Sequence, residues 1–141
     1  MYDQILLTSI NDGHFVRPQR LPAFAKDKNG WFAAVALRSG EPVYGLGEKF
    51  GPLNRRGQWV YSYNEDALGV NAEISYKNCP FAWSPSGWGI FMHTPAPVAH
   101  GVGYPQWSHR SYAIKVEDGC MDMFLIAADT PSDILRSFTE L

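Results

Sequence analysis

The sequence is poor in cysteine, in long apolar runs and in excess charge of either sign. It contains 2 cysteines, Cys79 and Cys120. They are too few for a disulfide scaffold and lie at no metal-binding spacing, so we expect two free thiols in the core. No apolar run approaches the roughly 18 residues of a membrane span, and the N-terminus lacks the basic and apolar regions of a signal peptide. We therefore expect a soluble, cytoplasmic protein with no membrane partner.

Neither a basic stripe nor a nucleotide-binding loop is visible in the sequence. The chain has 12 basic and 14 acidic residues and a formal net charge of -2, whereas a nucleic-acid-binding surface needs clustered positive charge. Gly45, Gly47 and Gly51 miss the dinucleotide fingerprint by one residue, and Pro52 interrupts the helix that would have to follow. We exclude nucleic acid as a partner and regard phosphate binding as unsupported.

The residues that are present predict one folded, β-rich domain. Of 141 residues, 45% are hydrophobic and 14% aromatic, which suffices for a sizeable core, and aromatic residues favour strands. Residues 31–37 form a continuous apolar run that we interpret as a strand buried on both faces. Trp59, Tyr61 and Tyr63 alternate with smaller residues, which places three rings on one face of another strand.

A glycine-rich stretch, residues 43–51, organises the rest of the chain. It places a Gly-x-Gly pair beside large apolar residues, which indicates either a tight structural bend or a place where a ligand approaches the backbone. Glu48, Arg55 and Arg56 could supply polar groups to such a site. The alternatives are a structural hydrogen bond for Glu48 and two arginines that are merely solvated.

An acidic tripeptide, Asn64-Glu65-Asp66, follows the aromatic strand directly. Residues carried on a loop at the end of a rigid strand often have functional roles. Asp66 is therefore our first candidate for a binding residue.

Turn signals predict three hairpins. Residues 4–10 are apolar and end at Asn11-Asp12-Gly13, and residues 14–17 would form the returning strand. Ser84-Pro85-Ser86-Gly87 suits a type I turn between two further strands. Asp118-Gly119 predicts a two-residue turn that pairs Val116 with Met121, Ile114 with Met123 and Tyr112 with Leu125 on one face, and Lys115 with Asp122 on the other.

The last residues predict a helix. Thr130 is placed as the N-cap, Pro131 at the first helical position and Asp133 as the acidic partner of a capping box. Ile134, Leu135, Phe138 and Leu141 give the helix an apolar stripe. Because no C-cap signal precedes the last residue, we expect the chain to be a fragment of a longer protein.

Six short motifs together resemble the N-terminal domain of glycoside hydrolase family 31, which contains α-glucosidases and α-xylosidases. They are Tyr44-Gly45-Leu46-Gly47-Glu48-Lys49-Phe50, Asn54-Arg55-Arg56-Gly57-Gln58, Asn64-Glu65-Asp66, Tyr76-Lys77-Asn78-Cys79-Pro80-Phe81, Gly87-Trp88-Gly89-Ile90-Phe91 and Thr130-Pro131-Ser132-Asp133-Ile134-Leu135. The resemblance covers roughly two-thirds of the chain, and the second and fourth motifs look most like the α-xylosidase branch. It implies a mainly β fold, an antiparallel β-sandwich of galactose-mutarotase type with a short C-terminal helix. Residues 1–129 would be the sandwich, and residues 130–141 a helical linker into a (β/α)8 catalytic barrel.

The same resemblance implies a function in carbohydrate metabolism. The family hydrolyses α-glycosidic bonds with retention, using two carboxylates on barrel loops, and neither carboxylate has a counterpart in this sequence. We therefore expect no catalytic residue, no cofactor and no metal in the chain. The position that matches the family's substrate-contacting aspartate is Asp66, with Asn64 beside it, and the implied partners are an α-linked sugar and the barrel.

Three other functions remain open at this point. The chain could be a stand-alone carbohydrate-binding module, or an oligomerisation or interaction domain that forms a homo-oligomer. A more remote alternative is a small hydrolase whose acid pair is Glu48 and Asp66. The aromatic residues Trp59, Tyr61, Trp83, Trp88 and Trp107 are expected in the core or at an interface, and the spacing of His93, His100 and His109 gives little support to a metal site.

Overall fold

The computed structural model describes residue 21, residues 23–66 and residues 75–141. Within these residues the chain forms nine strands and one helix. In chain order they are β1 (Phe24–Asp27), β2 (Gly30–Ala36), β3 (Tyr44–Gly45), β4 (Gln58–Ser62), β5 (Phe81–Ser84), β6 (Trp88–Met92), β7 (Val98–Val102), β8 (Ser111–Val116), β9 (Met123–Ala127) and α1 (Pro131–Thr139). The predicted hairpin of residues 4–17 lies outside the described residues.

The strands form two antiparallel sheets that pack face to face. Sheet A has the order β1-β2-β8-β7-β4, and sheet B has the order β3-β5-β6-β9. Both sheets contribute to one buried core, which consists of Leu37, Val43, Leu46, Val60, Ala82, Ile90, Met92, Val98, Val102, Tyr112, Ile114 and Val116. The predicted antiparallel β-sandwich with a C-terminal helix is confirmed.

Strand β6 shows how the alternation of side chains builds the layers. Ile90 and Met92 point into the core between the sheets. Gly89 lies on the opposite face, where an added Cβ would be only 2.9 Å from Cγ2 of Ile134 in α1. Sheet B therefore packs against sheet A on one face and against the helix on the other.

The predicted turn at residues 84–87 joins β5 to β6, as expected. The amide of Gly87 donates to the carbonyl of Ser84 at 3.1 Å, and Ser84 pairs with Trp88. The predicted strand at residues 31–37 corresponds to β2, which lies between β1 and β8. Its burial on both faces holds for the neighbours Phe32 and Ala33 but not for the exposed Ala36.

The hairpin predicted at Asp118-Gly119 is wrong. Strand β8 pairs with β2 and β7 in sheet A, whereas β9 pairs with β6 in sheet B. The connection between them crosses from one sheet to the other. Each strand has the expected alternation, but this alternation is satisfied by facing a common core rather than by mutual pairing.

The helix is capped as the sequence predicts. Oγ1 of Thr130 accepts a hydrogen bond from the amide of Asp133 at 3.2 Å, and Pro131 occupies the first turn. Of the apolar stripe, Ile134 is fully buried and the ring of Phe138 stacks on Phe81 with a centroid distance of 3.9 Å. No helix among the described residues is long and apolar enough to cross a membrane.

The two cysteines are free, but only one of them is near the core. Cys79 is half-buried beside the helix-facing cluster, and burial raises the pKa of its thiol. Cys120 is exposed, so its expected core position is wrong. Cys120 lies in the connection between β8 and β9, which runs along the surface.

Candidate functional site

The glycine-rich stretch forms a tight structural bend. Gly45, Leu46 and Gly47 all have positive φ angles, of 105°, 66° and 74°. A Cβ at Gly47 would lie 2.3 Å from the carbonyl oxygen of Lys77, so only glycine fits there. The bend places the fully buried Leu46 in the core and brings the backbone against the segment before β5. Of the two readings of this stretch, the structure supports the bend.

The buried side chain of Arg55 stabilises the bend, a role that the sequence analysis did not predict. Its side chain is only 3% exposed, and its guanidinium donates to the carbonyl oxygens of Gly45, Gly47 and Pro52 at 3.1 to 3.3 Å. Burial lowers the pKa of Arg55. The expectation of a solvated arginine is therefore wrong here, because the bend presents several carbonyls that need donors.

Glu41 is a second buried charged group that the sequence did not reveal. Its carboxylate accepts hydrogen bonds from the amide of Arg38 at 2.7 Å, Nε1 of Trp88 at 2.8 Å and Oγ of Ser84 at 2.9 Å. Burial raises the pKa of this carboxyl, but the donors outweigh burial and lower it overall. Glu41 thus connects the segment after β2 to sheet B, and both of its carboxylate oxygens accept hydrogen bonds.

Strand β4 ends at Ser62 and delivers Asn64, Glu65 and Asp66 to the surface, where all three are exposed. Asp66 accepts no hydrogen bond from any residue that the structure describes. The structure thus gives the position of Asp66 on the surface, and its role in binding stays a prediction.

Asn78 fixes the base of this segment. Its Nδ2 donates to the carbonyl oxygens of Tyr63 and Ser75, at 2.7 and 2.8 Å, and to Oδ1 of Asn64 at 2.9 Å. The amide of Asn78 donates to the same Oδ1 at 2.9 Å. Both hydrogen bonds engage Oδ1 of the Asn64 side chain and not its Nδ2.

Glu48, the other candidate carboxylate, is exposed and lies 3.8 Å from Nζ of Lys77. Its backbone amide donates to the carbonyl of Lys77 at 2.9 Å. An exposed ion pair of this length contributes little to stability. Glu48 therefore contributes to the bend through its backbone amide.

The histidines are dispersed. His100 is fully buried, with Nδ1 2.8 Å from the hydroxyl of Tyr112, whereas His93 is exposed and lies 2.9 Å from Asp122. Within residues 23–66 and 75–141, no three His, Cys, Asp or Glu side chains are close enough to hold a metal ion.

The aromatic residues divide between the core and the outer faces. Trp88 packs against the core and Trp83 against the cluster under the helix. Trp59 and Tyr61 stack on each other on the outer face of sheet A, with centroids 5.7 Å apart, while their neighbour Val60 points inward. Of the two expected positions, core or interface, the core is therefore wrong for Trp59 and Tyr61, because β4 turns Val60 and Ser62 inward, and the interface stays a prediction.

The two packed antiparallel sheets and the C-terminal helix define a β-sandwich domain. Residues 2–99 match the family model described as "Glycosyl hydrolase 31 N-terminal galactose mutarotase-like domain". The chain belongs to this family, and the family expected from the motifs is confirmed.

Two similar curated relatives are α-xylosidases. The chain is 36% identical over 109 residues to the α-xylosidase of Emericella nidulans, a match that covers 77% of this chain and 14% of the relative. It is 32% identical over 101 residues to α-xylosidase XylQ of Lactiplantibacillus pentosus, covering 72% of this chain and 13% of the relative. The chain therefore spans about one-seventh of the length of these relatives.

Solved structures with this fold include the GH31 dextranase FjDex31A of Flavobacterium johnsoniae, complexed with isomaltotriose. It is 30% identical with a TM-score of 0.77, covering 84% of this chain and 15% of the dextranase. The cycloalternan-forming enzyme of Listeria monocytogenes, in complex with a pentasaccharide substrate, has a TM-score of 0.70 at 21% identity, covering 80% of this chain and 11% of the enzyme. The second comparison supports the fold alone.

Proposed function

We propose that the chain is the non-catalytic N-terminal domain of a retaining α-glycosidase of α-xylosidase or α-glucosidase type. The family and the named activities of its relatives support this assignment. Retaining hydrolysis needs two carboxyl groups about 5 Å apart across the scissile bond. In this proposal both belong to a barrel elsewhere in the polypeptide, and the present chain binds substrate without reacting with it.

Asp66 is the proposed substrate contact. The observation that carries this role is the exposed carboxylate of Asp66, two residues beyond the Asn64 side chain that Asn78 holds in place. A carboxylate can accept hydrogen bonds from two adjacent sugar hydroxyls, and its charge strengthens both. Fixing the base of the segment reduces the entropy lost when the carboxylate meets the sugar. Asp66 would therefore orient the substrate, and Asn64 would add its Nδ2 as a donor.

A chimera tests this role. The chain would replace the matching segment of the Emericella nidulans α-xylosidase, and Asp66→Ala would be compared with the parent chimera on an α-xyloside. Loss of a charged hydrogen bond costs about 1.5–3 kcal/mol, or roughly 10- to 150-fold in kcat/KM. The matched control is Glu65→Ala, which removes the neighbouring exposed carboxylate and should change kcat/KM less than about threefold.

The isolated chain provides the complementary measurement. We expect the purified chain to release no nitrophenol from p-nitrophenyl α-glycosides. Hydrolysis that disappears in Glu48→Gln and Asp66→Asn variants would instead identify the chain as a small hydrolase. Equal kcat/KM values for Asp66→Ala and Glu65→Ala in the chimera would remove the substrate-binding role while leaving the domain assignment intact.

A further inference from the structure

Two buried polar side chains of sheet A each carry an atom without a hydrogen-bond partner. His100 of β7 is 0% exposed and Ser62 of β4 is 4% exposed. Neither Nε2 of His100 nor Oγ of Ser62 forms a hydrogen bond with any described residue. Such groups are rare in folded proteins, because a buried donor or acceptor loses its hydrogen bonds to water and gains nothing in return. Both atoms therefore call for a partner.

The two side chains lie on the same face of neighbouring strands. Strands β4 and β7 pair antiparallel, with Val60 opposite His100 and Ser62 opposite Val98. Val60 and Val98 belong to the core between the sheets, so the residues two positions away, Ser62 and His100, also face that core. They are diagonal neighbours, whose Cα atoms lie about 7–8 Å apart in a sheet of this kind. The two unpaired atoms thus share one region of the core.

The contact with Tyr112 determines which nitrogen of His100 carries the hydrogen. Nδ1 of His100 lies 2.8 Å from the hydroxyl of Tyr112, which is also fully buried. If this hydroxyl donates to Nδ1, the ring hydrogen lies on Nε2. The reverse assignment leaves both the hydroxyl hydrogen and the lone pair of Nε2 without a partner in residues 23–66 and 75–141. The first assignment satisfies more groups, so we assign Nε2 as a donor that needs an acceptor.

The charge of the site favours a neutral ligand. Burial, aided by the positive charge of Lys49, lowers the pKa of His100 to about 3, so the imidazole is uncharged at neutral pH. Nζ of Lys49 donates to the carbonyl oxygen of Tyr61 at 2.6 Å. The unpaired groups are therefore an N–H donor and a hydroxyl, and a small molecule that both accepts and donates hydrogen bonds matches them.

The strand opposite β7 contributes a small side chain to this part of the core. Strand β6 faces β8, since Trp88 stacks on Tyr112, and β9 faces β2 across one cleft. The order of the sheets then places β5 opposite β7. The core-facing residue of β5 is Ala82, because its neighbours Phe81 and Trp83 pack towards the helix. A methyl group leaves more space beside the imidazole than a larger side chain would.

We propose that one water molecule binds between the sheets, accepting a hydrogen bond from Nε2 of His100 and forming a second with Oγ of Ser62. Buried waters make about two to four hydrogen bonds, typically to polar groups that lack other partners. With this water in place, both nitrogens of the neutral imidazole are paired. The water also connects β7 to Ser62, the last residue of β4, and so helps to fix the strand end. This role is independent of the proposed function of Asp66.

A high-resolution crystal structure of the unsubstituted chain tests the proposal directly. We expect one peak of electron density at about 2.7–3.2 Å from both Nε2 of His100 and Oγ of Ser62. The absence of this peak, or a hydroxyl of Ser62 that donates to a backbone carbonyl instead, would overturn the proposal. Crystals soaked in bromide provide a second criterion, because anomalous signal at the peak would identify an anion in place of the water.

Nuclear magnetic resonance of the labelled chain tests the hydrogen-bond pattern in solution. We expect the ring hydrogen of His100 on Nε2, with magnetisation transfer between this hydrogen and a bound water. Ser62→Ala removes one of the partners of the water and should speed the exchange of the Nε2 hydrogen by roughly three- to tenfold, the range for one ordinary hydrogen bond. The matched control is Ser111→Ala, a buried serine whose Oγ is 3.3 Å from Oγ of Ser108, and it should leave this exchange unchanged.

Three results in solution would contradict the proposed water. A ring hydrogen on Nδ1 would mean that Nε2 donates to nothing. Exchange of the Nε2 hydrogen as fast as in free imidazole would show that bulk solvent reaches the ring. Equal exchange in Ser62→Ala and in the unsubstituted chain would show that Ser62 is not a partner of the same molecule. If Ser62→Ala does not fold, the crystal structure of the unsubstituted chain still decides the question.

Discussion

Acidification of the folded domain probes the buried imidazole of His100. The side chain is fully buried, and Nε2 has no hydrogen-bond partner among the described residues. Burial, aided by the charge of Lys49, lowers the pKa of His100 from 6.5 to about 3. As the pH falls, His100 is therefore protonated near pH 6.5 in the unfolded chain but only near pH 3 in the folded chain. The free energy of unfolding must fall as the pH falls through this window.

The size of this effect follows from the two pKa values. Between pH 8 and pH 5 the contribution of His100 to the free energy of unfolding falls by about 2 kcal/mol, and the complete shift corresponds to roughly 5 kcal/mol. Glu41, whose pKa is lowered, adds its own loss mainly below its ordinary value of 4.5. Between pH 5 and pH 8, the pH dependence of the free energy of unfolding therefore reports on His100 and not on Glu41.

Urea unfolding followed by tryptophan fluorescence provides the assay. The chain would be compared with His100→Gln at pH 8, 7, 6 and 5, and we expect the variant to lose most of the pH dependence whatever its stability at pH 8. His93→Gln is the matched control, because His93 is exposed, and it should keep the dependence. An unchanged pH dependence in His100→Gln would refute the reasoning.

Three substitutions test the packing around the bend, the strand end and the helix, each by urea unfolding. Gly47→Ala should lower the free energy of unfolding by more than about 2 kcal/mol. The position has a positive φ, and the added Cβ would clash with the backbone of Lys77. Asn78→Ala should cost about 2–3 kcal/mol through the acceptors and donors left unpaired, and it should accelerate amide exchange near Asn64. Thr130→Ala should cost about 1 kcal/mol by removing the N-cap oxygen.

Each substitution has an internal control. Gly40 has a φ of 71° but open space around its Cβ position, so Gly40→Ala should cost clearly less than Gly47→Ala, and equal costs would contradict the steric argument. Asn78→Asp retains acceptors but loses the Nδ2 donors, and it should remain as destabilising as Asn78→Ala. Thr130→Ser keeps the capping hydroxyl, so a loss equal to that of Thr130→Ala would rule out the cap as the cause.

Local signals predicted those parts of the fold that depend on near neighbours. The turn at Ser84-Pro85-Ser86-Gly87 and the cap at Thr130 are confirmed, because each needs only a few consecutive residues to form its hydrogen bonds. The combination of motifs correctly indicated the family.

These local signals could not predict which strands pair with each other. The residues of β8 and β9 alternate in a pattern that fits a hairpin, but alternation reports which face is apolar and not which strand is adjacent. In the structure the two strands lie in different sheets. Their separation depends on packing against β2 and β6, which are distant in sequence.

The sequence singled out only the exposed residues of the candidate site, and their binding role stays a prediction. Asp66 could be singled out because an acidic residue follows an aromatic strand, and the structure places it on the surface. Arg55 and Glu41 were missed, since their roles depend on carbonyls and donors from other parts of the chain. No feature of the sequence near Arg55 distinguishes it from the neighbouring Arg56, since Arg55 lies eight residues beyond Gly47.

The attachment of α1 to sheet B has a mechanical consequence. Ile134 occupies the socket that Gly89 leaves open, and the ring of Phe138 lies parallel to that of Phe81, within 2°. The helix thus cannot swivel without breaking both contacts. The orientation of the helix axis is therefore fixed by the same side chains that bury the outer face of sheet B.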